Sequence, residues 1–186
     1  MSKKALVFLA DGFEEVEAVT PVDYLRRAGI VVTTASIGGS KTVTGAHGIQ
    51  VIADSLITEL PDGTVWDVLV CPGGMPGASN IAASASASAL LKAQAAAGRW
   101  IGAICASPAV VLFPLGLLQD RRFTCYPGME GRVNGACWLP DPVVTDGNII
   151  TSRGAGTAGL FARAIIGQVL SQEKAAAVAE SVLLAT

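Results

Sequence analysis

Trp100-Ile-Gly-Ala-Ile104-Cys105-Ala-Ser-Pro108-Ala-Val-Val-Leu112 is the stretch that decides how this chain is built. Ile101 to Ile104 is a short apolar run containing small residues, the pattern of a strand covered on both faces. Pro108 suits a first helical turn, where a missing N–H costs little. Ala109 to Phe113 continues apolar, so the stretch reads as a strand that breaks into a helix with Cys105 at the break. A side chain there faces a helix N-terminus, whose free N–H groups and dipole favour an anion. For a cysteine that anion is the thiolate, the reactive form. The alternative is a buried structural cysteine, common for this residue type.

Outward from this break the same alternation repeats. Lys4 to Ala10 reads as a first strand, and Asp11-Gly-Phe-Glu-Glu-Val-Glu17 begins a helix with its acids in the first turns, where the dipole favours them. That helix runs through Pro21, where a kink or a restart is predicted, and stops at Ala28-Gly29. Ile30 to Ser36 is a second strand, and Lys41 to Asp54 an edge hairpin with His47 in its turn. Thr64 to Cys71 is a buried strand ending in Pro72-Gly73-Gly74. Ala78 to Ala97, rich in Ala and Ser, is predicted as one helix. Beyond Cys105, Arg121 to Cys125 reads as a short strand, and Val143–Thr145 and Ile149–Ser152 flank the hairpin signal Asp146-Gly-Asn148. Helices are predicted from about Ala158 to Leu170 and from Glu173 to Leu184.

Strands alternating with helices predict an α/β fold, a mostly parallel sheet with helices on both faces. Such sheets carry their sites at the carboxyl ends of strands. Asp11–Glu17, Cys71–Gly77 and Ile104–Pro108 all lie at that edge. With 186 residues and no repeat or linker, residues 1–186 are expected to form a single domain.

Composition narrows the function. A net charge of -2 without Lys/Arg runs gives no footprint for nucleic acid or a membrane surface. The apolar segment after Met-Ser-Lys-Lys is too short to span a membrane or act as a signal peptide, so a cytoplasmic location is expected. The four cysteines, at 71, 105, 125 and 137, form no C-x-x-C pair, and His47 is the single histidine. No structural metal site is predicted, and four free thiols are expected. Arg153-Gly-Ala-Gly-Thr157 resembles a phosphate-cradling loop but lacks G-x-G-x-x-G and the P-loop lysine, so nucleotide binding is not predicted.

A nucleophilic cysteine needs a group that controls its proton. A Cys–His dyad would rest on His47 alone, whereas Glu14, Glu15 and Glu17 lie at the end of the first strand. A carboxylic acid beside a thiolate hydrogen-bonds to it while its own pKa rises. Developing charge on oxygen needs donors, and Gly73 and Gly74 allow close backbone approach. The competing reading of the glutamates is a solvated first turn, and of Pro-Gly-Gly a simple turn. Cys71 reads as inert core, while Cys125 and Cys137 lie near loops and are expected to be accessible.

Five motifs in order carry a resemblance: Ala10–Glu17, Pro21–Gly29, Pro72–Gly74, Ala103–Ala106 with Pro108, and Thr151–Thr157. The chain resembles the ThiJ/PfpI superfamily, in the branch that contains the Parkinson-disease-associated protein deglycase and its bacterial relatives. The resemblance implies a flavodoxin-like three-layer sandwich and a homodimer. It implies Cys105 as nucleophile, Glu17 as the protonated carboxyl beside it, and the Gly73 and Gly74 backbone as oxyanion donors. Ala106, where relatives with Cys–His chemistry often carry histidine, argues against peptidase action. Tyr126 stands where well-studied members often have histidine, and His47 where they often have an arginine near the dimer interface. Ser107 replaces a smaller residue and is expected to narrow the pocket. The implied activity is cofactor-independent glyoxalase III or deglycase chemistry on small α-oxoaldehydes such as methylglyoxal, or on their adducts with thiols and amines. The alternative is a redox-responsive, stress-protective or chaperone-like protein that uses oxidation of Cys105.

Overall fold

The computed structural model describes residues 2–185. Its strands are β1 (Lys4–Leu9), β2 (Val31–Ser36), β3 (Thr42–Thr44), β4 (Gln50–Ile52), β5 (Ser55–Leu56), β6 (Val68–Cys71), β7 (Trp100–Ile104), β8 (Arg122–Phe123), β9 (Cys137–Trp138), β10 (Val143–Asp146) and β11 (Ile149–Ser152). The helices are α1 (Glu15–Arg27), α2 (Gly77–Ala83), α3 (Ala85–Ala96), α4 (Ala158–Val169) and α5 (Gln172–Ser181). The main sheet has seven strands in the order β10-β11-β7-β6-β1-β2-β5. All its neighbours pair parallel except β10 with β11, the hairpin closed at Asp146-Gly-Asn148.

Apolar strands alternate their side chains between two cores. Leu6, Phe8, Leu69, Ile101 and Ala103 pack on Ala78, Ile81, Ala87 and Leu91 of α2 and α3. Ala5, Val7, Val68, Val70 and Ile104 pack on Leu25 of α1, on Phe161 and Ile165 of α4, and on α5. Phe161 is fully buried, which stabilises the fold by about 2–3 kcal/mol relative to an exposed ring. Gly102 makes this possible, because a Cβ there would lie 2.8 Å from the Phe161 ring. The result is a sheet between two helical layers, as predicted.

Several local expectations are corrected. The 78–97 segment is two helices broken at Ser84, whose side chain caps the second by accepting from the Ala87 N–H at 3.2 Å. The 41–54 segment pairs β3 with β4, but as a separate ribbon, and β5 is the sheet's edge. After Cys105 the chain makes not an α-helix but a π-turn over Pro108–Leu112, closed by the Phe113 N–H on the Pro108 carbonyl at 3.0 Å. The dipole of so short an element does little for an anion. Pro21 lies inside α1, where it is buried, and the helix continues past it. The last helix ends at Ser181 rather than Leu184.

The strand order reverses beside β1: the chain moves to β2 on one side and returns to β6 on the other. The carboxyl ends of β1 and β6 therefore open a crevice at the switch point, where α/β sheets place their ligands. The end of β7 delivers Cys105 to the same edge.

Candidate active site

Cys105 has φ +64°, a left-handed conformation that a non-glycine residue rarely adopts. Two backbone hydrogen bonds hold it there. The Cys105 N–H donates to the Ser152 carbonyl at 2.9 Å, and the Tyr126 N–H donates to the Cys105 carbonyl at 2.8 Å. Strain of this kind, about 1–3 kcal/mol, persists where surrounding structure enforces it and clusters at functional sites. It turns the half-buried thiol off the strand axis, toward Glu17.

Glu17, in the first turn of α1, is only 1% exposed. Its Oε2 accepts from the Gly73 N–H at 2.9 Å, and a side-chain hydrogen bond links it to Cys105. Burial pushes the Glu17 carboxyl up to about 7. Burial and the adjacent Glu17 charge push the Cys105 thiol up to about 12, against the N–H groups of Gly74 and Ala106, which favour the thiolate. Burial acts against the charged form of both groups, and at sulfur the neighbouring carboxylate adds to it while the backbone donors oppose it.

Gly73 and Gly74 both reach the site, in different roles. The Gly73 N–H is taken by Glu17, so it is not a free oxyanion donor, and Gly74 and Ala106 supply the N–H groups at sulfur. A Cβ at Gly73 would lie 2.6 Å from both Cys105 Cβ and Glu17 Oε2, so the close approach requires glycine. Glu14 is the N-cap of α1: its side chain accepts from the Glu17 N–H at 2.8 Å, and its own N–H donates to the Gly73 carbonyl at 3.0 Å. It positions the Glu17 and Gly73 segments. Ser107 is corrected: it is fully buried and donates to the Pro72 carbonyl at 2.5 Å, so it anchors the Pro-Gly-Gly turn and does not narrow the pocket.

A cavity of about 400 Å³ opens over the thiol, lined by Gly74, Met75, Cys105, Ala106, Tyr126, Pro127, Gly128 and Met129. Tyr126 forms its exposed wall. His47 does not join the site. Its Nδ1 lies 2.8 Å from Glu15 Oε2 and 3.8 Å from Glu14 Oε1, with the ring exposed. Glu15, one of the three carboxyl groups at the end of the first strand, turns toward His47. It is buried and also accepts from the His47 N–H at 2.7 Å, tying the β3–β4 ribbon to α1. Burial alone would raise the Glu15 carboxyl, but the His47 ring and the N–H groups of His47 and Ile49 hold it down at about 2. The Glu15 hydrogen bond and charge raise the His47 pKa. The ligand atoms of Glu14, Glu15 and His47 lie within 4.8 Å of one another, a spacing a metal ion could bridge.

The four cysteines are free. Cys71 is buried, its thiol pushed far up by desolvation. Cys125, expected to be accessible, is fully buried and pushed up to about 11, chiefly by burial, whereas Cys137 is exposed. Among the described residues no helix is long and apolar enough to cross a membrane.

A cysteine at the carboxyl edge of the sheet with a buried glutamate beside it is the pairing the resemblance implies. Comparison with known proteins decides the family, because residues 3–168 match DJ-1/PfpI. The chain belongs to the DJ-1/PfpI family. Protein dj-1beta of Drosophila melanogaster is 41% identical over 187 residues, covering 100% of this chain and 99% of the fly protein. The Caenorhabditis elegans protein named glutathione-independent glyoxalase DJR-1.2 is 35% identical over 175 residues, covering 92% of this chain and 91% of its own. Against protein DJ-1 homolog B of Arabidopsis thaliana, 39% identical, the chain spans only 41% of the plant protein's length. The oxidized Toxoplasma gondii DJ-1 structure superposes with a TM-score of 0.96 at 39% identity, covering 100% of both chains. This DJ-1/PfpI member therefore has the flavodoxin-like fold that the resemblance implied.

Proposed function

We propose that this chain is a cofactor-independent glyoxalase III or deglycase-type enzyme acting on methylglyoxal, glyoxal or their adducts with thiols and amines, in defence against carbonyl and oxidative stress. The observation that carries the reading is the Cys105–Glu17 contact, a nucleophile and a buried acid whose pKa of about 7 suits proton transfer in both directions. The glyoxalase name of the worm relative supports the reaction class.

The steps follow from the contacts. Cys105 sulfur attacks the aldehyde carbon of methylglyoxal as Glu17 takes the thiol proton, giving a hemithioacetal. The Gly74 and Ala106 N–H groups, which converge on sulfur, flank the oxygen that gains charge. Glu17 returns its proton to that oxygen. As carboxylate it then removes the hydrogen from the former aldehyde carbon as a proton, giving an enediolate, and returns it to the adjacent carbon while the hydroxyl proton on the first carbon passes to the neighbouring oxygen, which leaves a thioester of the 2-hydroxy acid. Water cleaves the thioester to lactate and restores the thiol. Glu17, in contact with Cys105, moves the protons in this scheme. Lactate formation from methylglyoxal tests it: wild type is expected to turn over and Cys105→Ala to fall to background, and equal rates would refute it.

The enzyme is read as a cytoplasmic homodimer. Val19 and Ile52 are 51% and 79% exposed, and both line one apolar cavity between α1 and β4, a surface that a second copy would cover. A second reading, a redox sensor, draws support from the same geometry. The two N–H groups and the Glu17 carboxyl around sulfur are the donors an oxidised sulfinate would need. Mild peroxide discriminates: a selective +32 Da (about two oxygen atoms) on the Cys105 peptide favours this reading, and uniform oxidation of all cysteines counts against it.

A further inference from the structure

The Arg153–Thr157 turn has no part in the chemistry above, yet it borders it. A second cavity, of about 420 Å³, is lined by this turn together with Tyr126 and Pro127. Tyr126 and Pro127 are also walls of the Cys105 cavity, so the two spaces adjoin across one shared edge. Gly154 stands at that edge: a Cβ on it would lie 3.6 Å from the Tyr126 ring and 3.9 Å from Glu17 Oε1. A molecule bonded to Cys105 can therefore extend past Tyr126 toward the turn.

The chemistry of the second cavity is cationic. Arg153 is the one charged residue lining it. Its guanidinium donates to the Pro140 carbonyl at 3.1 Å. Among the described residues no carboxylate lies within 4.0 Å of it, although Arg26, Arg27 and Arg122 each have such a partner. The N–H groups of Ala155 and Gly156, both exposed, also have no protein acceptor among the described residues. A half-buried guanidinium with spare donors beside a nucleophile's pocket is suited to a planar anion, which its fork binds through two parallel hydrogen bonds.

We infer that Arg153 and the turn after it form a specificity subsite for a carboxylate carried by the carbonyl compound that reacts with Cys105. The subsite deepens the proposed function, since its substrates would be small aldehydes or oxo compounds bearing an acid arm. A carboxylate is favoured over a phosphate dianion because one cation faces the cavity, balancing one negative charge.

The test does not depend on turnover. Iodoacetate and iodoacetamide alkylate the same thiolate by the same displacement of iodide, so the ratio of their rates at Cys105 cancels thiol ionisation and reports how the site treats a carboxylate. Each rate is followed by mass spectrometry of the Cys105 peptide in the full chain. The iodoacetate-to-iodoacetamide ratio is expected to fall about tenfold in Arg153→Gln, the size of one charge-assisted hydrogen bond. Arg153→Lys, which keeps the charge, should retain part of the preference. Gln can still donate toward Pro140, and an unchanged iodoacetamide rate shows that the fold is intact. Arg163→Gln, a change on α4 outside both cavities, should leave the ratio alone. A ratio unmoved by Arg153→Gln, or moved equally by Arg163→Gln, would overturn the subsite. Slowing of alkylation by inorganic phosphate at lower concentration than by acetate would overturn the carboxylate assignment. Loss of lactate formation with the ratio still sensitive to Arg153 would instead count against the glyoxalase reading alone.

Discussion

The Gly73 N–H donates to Glu17 Oε2 at 2.9 Å, and both groups are buried against Cys105. One backbone donor thereby holds the carboxyl in place while leaving it to exchange a proton with sulfur. A single N–H does not offset the loss of water around the carboxylate, so the Glu17 pKa stays raised, at about 7.

That rise has a stability consequence with a defined sign. The Glu17 carboxyl titrates near 4.5 when unfolded and near 7 when folded. Its contribution is fully present below pH about 4.5 and is lost as pH rises through about 7, a swing of about 3 kcal/mol. Glu17→Gln removes the titration. The variant should gain unfolding free energy relative to wild type at pH 8 compared with pH 4.5, measured by urea denaturation, while losing lactate formation. An equal difference at the two pH values would refute the burial argument.

Ser107→Ala tests the anchor beneath the Pro-Gly-Gly turn. The hydroxyl is buried on the Pro72 carbonyl, and its loss leaves that acceptor unpaired, at a cost of about 1–2 kcal/mol. Because the next residue carries the donor to Glu17, kcat should fall several-fold with KM little changed. Unaltered kcat would show that the turn holds its place without Ser107.

Glu15→Gln probes the clamp between α1 and the β3–β4 ribbon. Glu15 is held at about 2 by its hydrogen bonds, against 4.5 when unfolded. Its contribution is present above pH about 4.5 and is lost as pH falls toward about 2. His47, whose pKa is raised by Glu15, contributes below its ordinary value of 6.5 and loses that contribution as pH rises through the folded value. The variant should therefore be less stable than wild type at pH 6 by about 1–3 kcal/mol, the worth of hydrogen bonds to a charged group, and the gap should close toward pH 2. Thermal melts across that range check it, and a gap independent of pH would contradict it.

Much of this was legible in the residues. Glycine-terminated helices between apolar strands gave the layered sheet. Chemistry-bearing turns after β1, β6 and β7 gave the shared edge. What escaped was set by tertiary contact. The positive φ of Cys105 follows from its bonds to Ser152 and Tyr126, which lie far along the chain. The capture of the Gly73 N–H by Glu17 could not be read from a Pro-Gly-Gly motif, because it depends on how deeply α1 seats. The thiol was expected to be acidic from a presumed helix end. A π-turn stands there instead, and burial beside a carboxylate pushes the thiol up.

The central claim is that Glu17 governs the proton on Cys105. The direct measurement is the pH dependence of Cys105 alkylation by iodoacetamide in wild type and Glu17→Gln. In wild type, burial and the Glu17 charge hold the thiol at about 12, so the rate should still be rising above pH 10. Without that charge the midpoint should fall by at least about one unit, even though turnover of methylglyoxal is lost with the proton acceptor. The same profile in both proteins, with a midpoint near that of a free thiol, would contradict the account.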